Sequence, residues 1–170
     1  PNVKFALVLT ALAFLIIMLA RPQMGTKISN EKRNGIEVII CLDISNSMKA
    51  EDVAPSRLDK SKMLVENLVD HFTNDKVGLI VFAGDAFVQL PITSDYVSAK
   101  MFLQDIDPSL IATQGTNIAG AINMAMHSFT QQQDVGRAIV VITDGEDHEG
   151  GALEAAKTAS KKGFNVYILG

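Results

Sequence analysis

Beyond residue 35, the apolar and polar positions of the chain alternate between two kinds of segment. Short, nearly continuous apolar runs are typical of strands buried on both faces of a parallel sheet. Between them lie longer stretches with apolar positions three or four residues apart, the spacing of an amphipathic helix. The predicted strands are 36–43, 76–83, 86–90, 137–143 and 164–169. The predicted helices begin at Ser56, near Asp95, at Ile118 and near Gly151.

This alternation of strands and helices predicts an α/β fold, a doubly wound and mostly parallel sheet with helices on both faces. The strand Ala86–Leu90 follows its neighbour after only Gly84 and Asp85. So short a link requires antiparallel pairing, which predicts a short edge strand where Pro91 is tolerated. We expect the strand order 3-2-1-4-5. The sequence stops at Gly170, directly after a strand, and a final helix and strand are expected to be absent from it.

The N-terminal segment differs in kind from the rest of the chain. Residues 5–20 are apolar apart from Thr10, and with Val3 the apolar stretch reaches about 27 Å as a helix, close to the ~30 Å of a membrane core. We predict a transmembrane helix over residues 1–21, with 3–20 in the membrane, followed by a polar linker over 22–35. A cleaved signal peptide and a buried soluble helix are the alternatives.

Basic residues flank this segment unevenly. Four of them follow it, against Lys4 before it, and this count alone places the C-terminal side in the cytoplasm. The four are Arg21, Lys27, Lys32 and Arg33.

Composition narrows the classes of partner. The formal net charge of the 170 residues is −4, and an acidic chain without a basic stripe argues against nucleic acid. The length suits one domain with a sizeable core. The single cysteine, Cys41, excludes an internal disulfide and is predicted to be a small buried hydrophobe.

Candidate chemistry lies where two of the apolar runs end. Asp43 ends the first strand and is followed by Ser45 and Ser47, while Asp144 follows the fourth strand. In the predicted strand order these ends are neighbours at the point where the winding reverses, which is where such sheets bind ligands. Thr116, in the loop before the third helix of the domain, is the fifth candidate. Carboxylate and hydroxyl oxygens suit a hard divalent cation, so we predict a site for Mg²⁺ (or Mn²⁺).

Two carboxylates leave a divalent ion nearly neutral, and neutral hydroxyl ligands leave it electrophilic. One position can then be filled by a carboxylate of a partner protein.

Each candidate residue also has a purely structural alternative. Ser45 and Ser47 can bond to backbone, Thr116 can be the N-cap of the following helix, and Asp144 can be a turn residue before Gly145. The acidic run 146–149 beside the site has three interpretations. It is a second cation site, a contact for a partner, or a solvated loop.

These motifs resemble the metal-ion-dependent adhesion site of von Willebrand factor type A domains. The pattern Asp43-x-Ser45-x-Ser47, then Thr116, then Thr143-Asp144-Gly145, matches in order, and the resemblance covers residues 36–170, a type A domain truncated at its C-terminus. Many such domains carry Gly where this chain has Asn46, a residue that tolerates the left-handed conformation.

Further segments resemble the membrane-anchored Bat (aerotolerance) family. They are residues 19–23, 35–37, 43–48 and Ser56-Arg57-Leu58. This resemblance implies a periplasmic domain held at the bacterial inner membrane, in association with other Bat proteins and a MoxR-type ATPase. In that family a basic loop precedes the helix, which reverses the orientation that the charge count gives.

The expected function is a membrane-anchored, metal-dependent module that binds an acidic residue of a partner protein, and not an enzyme. One alternative is a metal-free scaffold with a vestigial site. Another is an aspartate-dependent phosphohydrolase with Asp43 as nucleophile. Haloacid-dehalogenase-like phosphatases carry a second Asp where this chain has Ser45, so the carboxylate that would act as acid or base is missing. A response regulator would need an acidic pair just before the strand that carries the phosphate-accepting aspartate, and a lysine after the last strand. The sequence has neither.

Overall fold

The structure, a computed structural model, describes residues 2–19, 35–132, 135–145 and 150–170. The chain divides into two compact units, Pro1–Lys32 and Arg33–Gly170. The predicted linker 22–35 lies outside the described residues except for Gly35, and so does the acidic run 146–149.

The first unit contains helix α1, Asn2–Leu19, whose side chains from Val3 to Ile16 are exposed. The described part of this helix has 18 residues. Among the described residues, no helix combines the length and the apolar character needed to cross a membrane. The predicted transmembrane helix is therefore not seen in this structure.

The second unit is built on a five-stranded sheet in the order β3-β2-β1-β4-β5. The strands are β1 Glu37–Asp43, β2 Lys76–Phe82, β3 Ala86–Thr93, β4 Arg137–Ile142 and β5 Asn165–Leu169. All neighbours pair in parallel except β3, which runs antiparallel to β2 at the edge. The predicted order and the antiparallel edge strand are confirmed. Pro91 lies inside β3 and does not end it, because an edge strand needs no second hydrogen-bonded neighbour.

Helices cover both faces of the sheet. They are α2 Arg57–Asp70, α3 Tyr96–Gln104, α4 Ile118–Ser128 and α5 Ala152–Lys161, with short 3-10 turns at Asn46–Lys49 and Pro108–Leu110. Helices α2 and α3 pack on one face, where Val65 and Leu103 join the cluster around Ile40. On the other face α4 and α5 bury Ile122 and Ala159 around Ile39 and Cys41. The doubly wound fold is thus confirmed, and so is the burial of Cys41.

This winding places the candidate site. The chain leaves β1 for helix α2 on one face and leaves β4 for helix α5 on the other, so a crevice opens between the carboxyl ends of these adjacent strands. Leu42 of β1 pairs with Ile142 of β4. The residues that follow this pair, Asp43 and Thr143, therefore lie side by side at the mouth of the crevice.

Candidate metal-binding site

Asp43 is the most buried carboxylate of the site, with none of its surface exposed. Its Oδ1 accepts a hydrogen bond from the Ser45 backbone N–H at 2.8 Å, and its Oδ2 accepts one from the Thr143 hydroxyl at 2.7 Å. Burial raises the pKa of this carboxyl, the bonds from Ser45 and Thr143 oppose that rise, and the negative charge of Asp144 adds to it. Asp43 is thus a fixed carboxylate that any nearby cation would favour in its charged form.

The two serines present their hydroxyls together. The 3-10 turn that follows Ser45 brings its Oγ within 2.9 Å of the Ser47 Oγ. The Ser45 side chain makes no capping bond to that turn, so its hydroxyl is not used as a backbone cap. Asn46 is the first residue of the turn, and the loop therefore does not need the left-handed conformation that glycine would supply there.

Thr116 is buried at the carboxyl end of the sheet and is not the cap of the following helix. The N-cap of α4 is Asn117, whose side chain accepts a hydrogen bond from Gly120 N at 2.6 Å. The loop is tied to the end of β2, since Asn117 N donates to the Ala83 carbonyl at 2.7 Å. It also contacts the serine loop, where Gln114 Oε1 accepts from Asn46 N at 3.2 Å. The Thr116 hydroxyl is thereby left without a capping role.

Asp144 completes the set from the end of β4. Its side chain is 5% exposed, and its Oδ2 accepts a hydrogen bond from Arg57 Nη1 at 3.1 Å. Its Oδ1 is buried and has no hydrogen-bond partner among the described residues. The turn at Gly145 is held by the Thr143 hydroxyl, which accepts from Gly145 N at 3.3 Å. The Asp144 side chain makes no hydrogen bond to this turn, although its backbone lies within it.

The donor set fits a hard divalent cation. It consists of two carboxylates and three hydroxyls from three loops, and a buried carboxylate oxygen without a partner is costly unless a cation or donor meets it. Within the described ranges no three His, Cys, Asp or Glu side chains cluster as metal ligands. A site here would therefore depend on its hydroxyl groups, which favours Mg²⁺-like ions over softer ones.

Two residues of the site were not predicted as part of it. Thr143 stands beside Asp43 and holds one of its oxygens, a role that the strand register alone could have indicated. Arg57 contacts Asp144 across 87 positions of sequence. No local sequence pattern links Arg57 to β4.

Residues 38–146 match the von Willebrand factor type A domain family. The chain belongs to this family. Its type A domain resembles the conserved hypothetical protein BatB from Bacteroides thetaiotaomicron, at 70% identity and a TM-score of 0.79, over 80% of this chain and 66% of that one. It also resembles an aerotolerance-related membrane protein from Bacteroides fragilis, at 68% identity and a TM-score of 0.78, over 80% and 67% of the two chains. The chain is therefore BatB-like.

The type A fold is shared with a more distant protein. Proximal thread matrix protein 1 from the mussel byssus, whose structure has a zinc-occupied metal-ion-dependent adhesion motif, is 17% identical over 79% of this chain and 35% of that one, with a TM-score of 0.70. This likeness concerns the fold alone. The chain spans about half the length of the curated relatives it matches, 45% of one from Borreliella burgdorferi and 53% of one from Nocardia farcinica.

Proposed function

We propose that this type A domain is a metal-dependent protein-interaction module. Mg²⁺ (or Mn²⁺) would be held by the two aspartates and the three hydroxyls and would accept a carboxylate from a partner protein. The residues are Asp43, Ser45, Ser47, Thr116 and Asp144. The observation that carries the proposal is the state of Asp144, a nearly buried carboxylate with one oxygen lacking a partner, close enough to Asp43 to raise its pKa.

The chemistry of the residues supports an electrophilic ion. Two carboxylates balance a divalent charge, and hydroxyl ligands add no further negative charge. When bound, the ion would supply Lewis acidity toward an acidic side chain of the partner. Asp43 and Asp144 would hold it, and the paired hydroxyls of Ser45 and Ser47 would orient it. The mussel protein, which shares the fold and has a zinc-occupied adhesion motif, supports the proposal of a divalent cation.

The site favours binding over catalysis. A phosphohydrolase would need Asp43 as an exposed nucleophile, but this side chain is fully buried and both of its oxygens accept hydrogen bonds. The second carboxylate of such enzymes is replaced by Ser45. A metal-free scaffold remains the competing function, and metal affinity separates it from the proposal.

Association with a membrane belongs to the same proposal. The aerotolerance-related relative from Bacteroides fragilis is named a membrane protein, and the side chains of α1 from Val3 to Ile16 are apolar, apart from Lys4 and Thr10, and exposed. We therefore propose that residues 3–20 hold the protein at the bacterial inner membrane with the type A domain in the periplasm. Other Bat proteins and a MoxR-type ATPase are the partners that the family resemblance suggests.

The test is a thermal melt of the full chain in mild detergent with EDTA, Mg²⁺ or Mn²⁺. An ion that binds only the folded state stabilises it by RT ln(1 + [L]/Kd), about 2.7 kcal/mol at a hundredfold excess over Kd. Asp43→Asn should abolish the rise, whereas Glu154→Ala, which removes an exposed acid of α5, should keep it. A folded, metal-free protein whose melting temperature does not respond to either ion would contradict the proposal and favour the scaffold.

A further inference from the structure

Arg57, the first residue of α2, links Asp144 to a second carboxylate. Its Nη1 donates to Asp144 Oδ2 at 3.1 Å. On the other side, its Nε and Nη2 donate to the two oxygens of Asp52 at 2.9 and 2.7 Å. A guanidinium is a rigid planar fork, so two bonds to Asp52 fix the direction in which the remaining nitrogen points. Asp52 and Arg57 thus form a two-bond ion pair, with their side chains 53% and 35% exposed.

This arrangement restricts Asp144 to one orientation. With Oδ2 held by Arg57, the carboxylate cannot rotate freely, and Oδ1 is the oxygen left buried without a described partner. Hydrogen-bond partners that orient a ligating carboxylate contribute strongly to metal affinity. The geometry thus resembles a ligand that is already held for a cation.

We propose that Arg57, fixed by Asp52, is a positioning residue that presents Asp144 Oδ1 to the divalent cation. This inference rests on the proposed function. Arg57 itself does not ligate the ion, and its contribution passes entirely through the Asp144 carboxylate.

The positive charge of Arg57 raises an opposing possibility, that the guanidinium acts as a resident counterion which the metal must displace. The contacts favour positioning. The two shorter of the three bonds go to Asp52, whose carboxylate balances the guanidinium charge, and only one oxygen of Asp144 is taken. The two possibilities predict opposite signs when Arg57 is made neutral.

The experiment is calorimetric titration of Mg²⁺ and Mn²⁺ into the full chain in mild detergent, with the metal-free melting temperature of every variant recorded alongside. Arg57→Gln should weaken binding by roughly 10–100-fold, the usual cost of losing a group that orients a metal ligand. Arg57→Lys keeps the charge but lacks the fork and should also bind weakly. Asp52→Asn should weaken binding as well, because it loosens Arg57 and leaves its charge unbalanced.

Lys60→Gln is the matched control, since Lys60 is an exposed cation three residues further along α2. It removes the same charge without touching Asp144, so the affinity of this variant for the ion should be unchanged or slightly tighter.

Unchanged or tighter binding by Arg57→Gln, or full wild-type affinity in Arg57→Lys, would overturn the positioning role. Should the wild type and every variant, each folded in EDTA, bind neither ion, the proposed function itself fails. Binding by Arg57→Gln alone would establish Arg57 as the competing counterion and refute positioning.

Discussion

At the scale of a single residue, the buried charge of Asp43 lowers the stability of the metal-free protein, although the same charge would bind the cation. Burial raises the pKa of its carboxyl in the folded protein, so the folded state holds the proton more tightly than the unfolded state does. Stability therefore falls as pH rises through that window, and at neutral pH the ionised group is a net cost. A bound cation would remove this cost by pairing with the charge.

Asp43→Asn should accordingly stabilise the metal-free protein at neutral pH. The amide oxygen can still accept from Ser45 N, but no charge is buried, so the melting temperature in EDTA should rise by roughly a few degrees. The difference from wild type should shrink as the pH is lowered and Asp43 becomes protonated. Melts in EDTA across an acidic-to-neutral pH series measure both effects, and a variant that melts lower than wild type at neutral pH would contradict this account.

Thr143 tests the other oxygen of Asp43. Thr143→Val removes the hydroxyl that donates to Asp43 Oδ2 at 2.7 Å and leaves a buried carboxylate oxygen unpaired, which should cost about 1–3 kcal/mol of unfolding free energy. Thr143→Ser retains the donor and should lose much less. Urea titrations of both variants in EDTA measure the difference, and a Thr143→Val protein that loses no more stability than Thr143→Ser would contradict the role given to the hydroxyl.

At the scale of residues, the sequence indicates the candidate ligands but not the residues that support them. Asp43, Ser45 and Ser47 lie within one loop, where spacing alone indicates convergence. Arg57 meets Asp144 only because α2 folds back over the end of β4, a contact that no local pattern encodes.

Among the elements, the start of α4 separates a structural residue from a candidate ligand one position away. Asn117→Ala removes the N-cap bond to Gly120 N and should cost roughly 0.5–2 kcal/mol, with the metal-induced rise in melting temperature retained. Thr116→Val should do the reverse, leaving metal-free stability nearly unchanged and weakening the metal response. Thermal melts of both variants with EDTA and with Mg²⁺ provide the comparison. A Thr116→Val protein with the full metal response would remove Thr116 from the ligand set.

Most elements were predictable because local signals agreed with the fold. Ser56, where the sequence predicts the start of the helix, is the N-cap of α2, and its hydroxyl accepts a hydrogen bond from Asp59 N at 3.0 Å. The sequence predicts the end of β3 too early, at Leu90, directly before Pro91. The strand continues to Thr93, since its outer edge has no neighbour for which the missing N–H would matter.

At the scale of the whole molecule, strand–helix alternation was sufficient for the topology, because crossover connections allow very few arrangements of such a chain. The apolar N-terminal segment forms a helix as expected, Asn2–Leu19, although no helix among the described residues has the length and apolar character to cross a membrane.

The proposed cation would join loops that belong to both layers of the domain. Asp43 and the serines precede α2 on one face, whereas Thr116 precedes α4 and Asp144 precedes α5 on the other. An ion held by all three loops would suppress their local opening, so backbone amides there should exchange with solvent more slowly when Mg²⁺ is present. At a hundredfold excess over Kd the slowing approaches about a hundredfold for amides that exchange only from the unbound state.

The opposite end of the sheet provides an internal control within the same sample. There Glu37, fully buried, accepts a hydrogen bond from the Thr130 hydroxyl at 2.5 Å, far along the strands from the carboxyl ends. Amides in this region that exchange through local opening should keep their rates with and without Mg²⁺. Hydrogen exchange followed by NMR or mass spectrometry measures both ends together. Because Asp144→Asn loses one ligand charge, it should lose most of the slowing at the loops. Slowing that is equal at the two ends would indicate a general effect of the ion and would contradict a bridge between the loops.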